Sequence, residues 1–179
     1  MDKVGLIYVA AHATGIIALV LNVAGLIVKN DSALRKNAFL ASLFTIAHNA
    51  LIGSATATAL CSIIFLRNYM AIRPDKLSAR KKTMLCGSFM SATWIAAAVT
   101  WSGPISAVLA VGSSCVTYAF FFLSGFRLRL VIGMNCLLWL SNAVIYESPW
   151  QFATGCLAAG AAFIGAWRIV RKDQQAQSA

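Results

Sequence analysis

Acid is nearly absent from this sequence. Of 179 residues only five carry a carboxylate, Asp2, Asp31, Asp75, Glu147 and Asp173, and none of them falls near the middle of an apolar run. A proton or sodium pump driven by an intramembrane carboxylate is therefore not expected. Histidine is scarcer still, with His12 and His48 alone. No His/Cys/acid cluster is spaced to hold a metal, and no paired acids or nucleophile with base converge for catalysis, so neither a metal, a cofactor nor an enzymatic activity is expected. The five cysteines, Cys61, Cys86, Cys115, Cys136 and Cys156, sit singly inside apolar runs without a CxxC spacing. They read as buried thiols used as small packing residues. Charge of either sign is thin, 11% of residues, against about 25% in a soluble domain. With 60% hydrophobic residues and no polar stretch long enough for a separate soluble unit, residues 1–179 read as one all-α domain whose principal partner is the lipid bilayer.

What charge there is belongs mostly to lysine and arginine, giving a formal net charge of +10. The basic residues form short clusters between apolar runs, not the stripe of a nucleic-acid face, so nucleic acid is not an expected partner. In order they are Lys29/Arg35/Lys36, then Arg67/Arg73/Lys76/Arg80/Lys81/Lys82, then Arg127/Arg129, then Arg168/Arg171/Lys172, with only Lys3 outside these groups. Short loops rich in Lys and Arg stay on the cytoplasmic side, so an even number of crossings should separate each cluster from the next.

That rule divides the 30-residue uncharged run 37–66 into two short helices, 37–52 and 55–72, turning at Gly53-Ser54. Arg67 then lies near the inner end of the second, where its side chain would snorkel to the interface. The next uncharged run turns at Trp101-Ser102-Gly103-Pro104, and the last hairpin turns at Glu147-Ser148-Pro149-Trp150. The first apolar run, 4–28, exceeds a signal-peptide core of about 7–15 residues and is expected to remain as a helix. Asn30-Asp31-Ser32 fits a glycosylation sequon but falls on the cytoplasmic side of this scheme. Seven transmembrane helices result, with the N terminus periplasmic, the C terminus cytoplasmic, and a polar tail 173–179 expected to be disordered. Helix 7 has no lysine for a retinal Schiff base. Seven helices can close a bundle by themselves, and their lipid-facing sides leave room for a second copy.

Two hairpins look alike. In "KNAFLASLFTIAHNALIGS" Asn49 stands thirteen residues after Lys36, and in "RLVIGMNCLLWLSNAVIYES" Asn142 stands thirteen after Arg129, with Ser54 and Ser148 nearly coincident. Repeat one, 4–72, and repeat two, 104–170, would then flank a linker helix at 83–101. This 3+1+3 arrangement of parallel repeats is the one found in SWEET transporters. "MNCLLWLSNAVIY" resembles the Asn-x-x-x-Trp-x-x-x-Tyr-like pattern of helix 6 in that superfamily. Over nearly its whole length the chain resembles the YgjV-like family of bacterial inner membrane proteins. The likeness rests on a small first helix with Gly and Asn, a His/Asn pair before a Gly-Ser turn, "GFRLRLVIGMNCLLWLSNAVIYES" and a final "AWRIVRK". Tyr-Glu-Ser stands where that family more often has a Gly in the turn. The resemblance implies a SWEET-like, PQ-loop-related fold in the bacterial inner membrane and no defined activity.

Intramembrane polar groups are costly in lipid and turn inward. Asn135, Trp139, Asn142 and Tyr146 share one helical face, and Ser42, Thr45 and Asn49 share another, with His48 adjacent. Helix 1 adds His12 and Asn22, and its Gly15/Ala18/Asn22/Gly25 stripe, like Gly155/Ala159/Ala162/Ala166, reads as a packing seam. Asn49 and Asn142, facing each other across a pseudo-symmetry axis, with Asn135, Trp139 and His48, would line a path for a small polar solute. The expectation is a small-solute transporter or facilitator; the rival is a non-transporting membrane binding or assembly protein in which these amides only join helices.

Overall fold

The computed structural model describes residues 3–28 and 30–177. Asp2, Lys29, Ser178 and Ala179 lie outside them. Within them the chain forms α1 (Lys3–Ile27), α2 (Asp31–Leu51), α3 (Ala55–Met70), a 3₁₀ turn (Pro74–Lys76), α4 (Ala79–Val99), α5 (Pro104–Phe122), α6 (Gly125–Ile145) and α7 (Pro149–Gln177). The hairpin turns fall where glycine and proline punctuate the sequence, and Pro104 opens α5 at a position where its missing N–H costs nothing.

The helix ends differ from expectation for local reasons. α2 begins at Asp31, six residues before the uncharged run, because the Asn30 side chain caps it, accepting from Ser32 N at 2.8 Å and Ala33 N at 3.4 Å. Asp31 in the first turn complements the helix dipole. The Asn-Asp-Ser triplet is thus a start signal for a helix. Ser78 caps α4 in the same way, accepting from Lys81 N, so that helix starts at Ala79 instead of residue 83. α3 ends at Met70, two residues early. α7 runs on to Gln177, so the tail from residue 173 is helical that far instead of disordered, in keeping with a Gln/Ala-rich stretch that lacks a Gly or Pro stop.

Four helices, α1, α5, α6 and the Pro149–Arg171 part of α7, are long and apolar enough to cross a membrane on composition alone. α3 has only 16 residues, and α2 and α4 carry charge in their opening turns. α1 packs on α2 and α7, α2 on α3, α3 on α5, α5 on α6 and α6 on α7, closing a ring of six; α4 packs outside it against α3 and α5. Buried positions are mostly small, with Ala41, Ala57, Ala110, Ala119, Ala143 and Ala162 among them. Large side chains such as Tyr8, Val20, Ile95, Val99, Val144 and Ile164 stand on the outside. Water tolerates no apolar surface of that extent, whereas lipid, as apolar as leucine, leaves close backbone approach to drive helix association.

Candidate functional site

The ring surrounds a partly open cavity of about 180 Å³, comparable in volume with the roughly 150 Å³ void that accommodates benzene in an engineered core. α1, α2, α3, α5, α6 and α7 all line it, and α4 does not. Its wall mixes apolar Leu26, Ile64, Val116 and Phe120 with polar His48, Asn135, Gln151, Ser42, Thr45 and Arg67. Three buried polar atoms on that wall have no protein partner, namely Asn135 Oδ1, Gln151 Nε2 and Ser113 Oγ. Groups of this kind are rare in native interiors, and these three are available to water or a solute.

One end of the ring is tied by a pair of contacts between hairpin turns. After α2, Ile52 N, Gly53 N and Ser54 N donate to His48 O, Ala50 O and Asn49 O; after α6, Tyr146 N, Glu147 N and Ser148 N donate to Asn142 O, Val144 O and Ala143 O. Both turns pass through positive φ, 81° at Gly53 and 46° at Glu147. A shift of 94 positions superposes these patterns, so Asn142 corresponds to His48, and the pairing of Asn142 with Asn49 is off by one residue. Counting from the basic residues started at exposed Lys36, whereas the counterpart of buried Arg129 is buried Arg35.

In the corrected register the contacts are reciprocal. His48 Nε2 meets Ser148 Oγ at 2.8 Å, and Asn142 Oδ1 accepts from Ser54 Oγ at 3.3 Å. His48 Nδ1 lies 2.9 Å from Ala11 O, an acceptor only, so this nitrogen carries the proton and in the neutral ring Nε2 accepts from the serine hydroxyl. Next to this clasp Trp150 Nε1 donates to His12 Nδ1.

A second clasp ties the opposite end, where the basic residues gather. Arg35 Nη2 donates to Leu123 O after α5 at 3.0 Å, and Arg129 Nη2 donates to Val28 O after α1 at 2.9 Å. Arg129 also pairs with Asp31 at 2.5 Å, and Gly125 N donates to the same carboxylate at 2.8 Å. Arg129 is fully buried.

The five residues singled out from sequence thus separate into two groups. His48, Trp139 and Asn135 lie on the cavity wall. Asn49 and Asn142 are buried above it: Asn49 Nδ2 donates to Thr45 O and Cys61 Sγ, and Asn142 Nδ2 donates to Gln151 Oε1. Arg67 departs most from expectation. It does not snorkel; it is 3% exposed and on the cavity wall. Asn68 Oδ1 accepts from its Nε and Nη2, Thr117 Oγ1 accepts from Nη1, and Phe120 lies under the guanidinium at 4.6 Å. The adjacent Asn68 was the available signal, an amide beside an arginine in an apolar helix. Of the cysteines, Cys61 and Cys86 are buried, but Cys115 and Cys156 are exposed on the outer surface, so packing does not account for all five.

Residues 9–173 match the Imp-YgjV family, described as bacterial inner membrane protein. The chain belongs to that family. No curated protein and no solved structure matches it. The Imp-YgjV match spans all seven helices and both clasps, and it makes this a membrane protein of the bacterial inner membrane.

Proposed function

We propose that this Imp-YgjV protein is a transporter or facilitator of a small polar solute, working by the rocking of α1–α3 against α5–α7 with α4 as linker. The observation that carries the reading is a cavity walled by those six helices, with contacts at each end of the ring that cross between the two groups. Alternating access requires a central site and a separable closure on each side. Hydroxyl, imidazole and amide contacts are suited to one closure, and arginine to backbone carbonyl contacts to the other. The reciprocal register of the turns supports two parallel repeats in a 3+1+3 order, and all seven helices crossing. The positive-inside bias supports a cytoplasmic basic end, and hence a periplasmic N terminus and a cytoplasmic C terminus. The reading contains no catalytic step.

Purified protein in proteoliposomes, offered a panel of labelled sugars, amino acids and small organic acids, should accumulate at least one of them above empty vesicles. Replacing His48 and Ser148 by a disulfide-bonded cysteine pair should abolish that uptake, and reductant should restore it. Folded protein that moves nothing across the whole panel would overturn the reading.

A second reading, a non-transporting binding or assembly protein, is favoured by Asn49 and Asn142, which do not line the cavity and whose amides bond to neighbouring protein groups. Under that reading a locked clasp changes nothing measurable in binding.

A further inference from the structure

Three buried arginines, Arg35, Arg67 and Arg129, lie toward the basic half of the ring, and the only carboxylate paired with any of them among the described residues is Asp31, held by Arg129. Arg35 is satisfied by a backbone carbonyl with its Nε unpartnered. Arg67 meets an amide, a hydroxyl and the Phe120 ring, all neutral. Both arginines approach that one ring, at 5.9 Å and 4.6 Å, so their charges reinforce each other beside the cavity. Arg67 donates with three of its five N–H groups, which leaves one on each terminal nitrogen.

We propose, resting on the reading of the cavity as a solute site, that its ligand is a small oxyanion, a carboxylate or a phosphate, and that Arg67 is its counter-charge. A buried ionised group without a counter-ion is disfavoured in a low-dielectric interior, and an anion in the cavity removes that cost. The two remaining N–H groups suit the paired oxygens of a carboxylate, the geometry for which arginine is selected over lysine. Ser113, unpartnered on the same wall and one helical turn from Thr117, supplies a further donor, while Asn135 Oδ1 is available to a hydroxyl or N–H elsewhere on the solute. The cavity volume, about 180 Å³, restricts the solute to a few heavy atoms.

The test uses the full chain purified in detergent, with thermal unfolding followed by tryptophan fluorescence. Acetate, lactate and inorganic phosphate are titrated against acetamide and lactamide, with chloride holding ionic strength constant. The expected result is a saturable rise in midpoint with at least one oxyanion and none with the amides; comparing the three oxyanions separates carboxylate from phosphate. In Arg67→Gln the apparent affinity should fall by about tenfold or more, the loss expected when a charge-assisted hydrogen bond is removed. Arg127→Gln, at an exposed position, should bind as the wild type does. Equal responses to the oxyanions and chloride in the wild type would overturn the proposal even if Arg67→Gln did not fold. Equal affinity in a folded Arg67→Gln would do the same. Uptake of a neutral solute without any oxyanion effect would overturn the ligand class and leave transport standing; oxyanion binding without uptake would do the reverse.

Discussion

Glu147 is a side-chain-bearing residue held at φ 46°, where its counterpart is Gly53. A Cβ in that region is strained by about 1–2 kcal/mol, and the Glu147 side chain is exposed, so nothing is lost with it. Glu147→Gly should therefore raise stability by about 1 kcal/mol in denaturant unfolding; a decrease would mean that the carboxylate has a role of its own. Asp31 presents the opposite case. It neutralises buried Arg129 from a partly exposed position and accepts from Gly125 N, so Asp31→Asn should cost roughly 1–3 kcal/mol, the range for weakening a hydrogen bond to a buried charged group. A loss under about 1 kcal/mol would place the pair in water. Neither partnership was legible in the sequence, since Arg35, Arg67 and Arg129 were counted as interface charges and a count of charges carries no information about burial. The polar faces were resolved in part, because period-of-3.6 spacing survives in any helical packing: Ser42, Thr45, Asn135 and Trp139 lie on the wall, whereas Asn49 and Asn142 on the same faces do not and His48, beside its face, does.

At the scale of helices and turns, glycine and proline fixed the hairpins, whereas capping by Asn30 and Ser78 moved the starts of α2 and α4 outward into charged sequence. The register between the hairpins depends on the turn hydrogen bonds, which a count from the nearest basic residue misses by one position. Close approach of α1, α2 and α7 depends on Gly15. A Cβ there would stand 2.8 Å from Trp150 Cβ and 3.1 Å from the His48 ring. Gly15→Ala should destabilise the protein by about 1–3 kcal/mol, the usual cost of overpacking. It should also loosen the His48–Ser148 contact, seen as faster thiol labelling of buried Cys61 on the cavity wall; an unchanged midpoint and labelling rate would show that the seam yields freely.

For the whole molecule, the all-helical chain and its outward apolar surface follow from composition and patterning, and the Imp-YgjV match agrees with a place in the membrane, whereas the ring of six helices emerges only from their packing. The ties at both ends of the ring come from contacts far apart in sequence, such as His48 with Ser148, and so had no local signature. Under the proposed transport reading the cavity opens to each side in turn. The most direct test keeps Cys61 as the sole cysteine and measures its labelling by a membrane-impermeant thiol reagent in sealed vesicles of each orientation. Two-sided access predicts labelling from both faces, and Ser148→Ala, which unties one clasp, should speed labelling several-fold from the face of that clasp, periplasmic in the proposed orientation, while leaving the other unchanged. Labelling from one face only, or an equal effect of Ser148→Ala on both faces, would contradict the account.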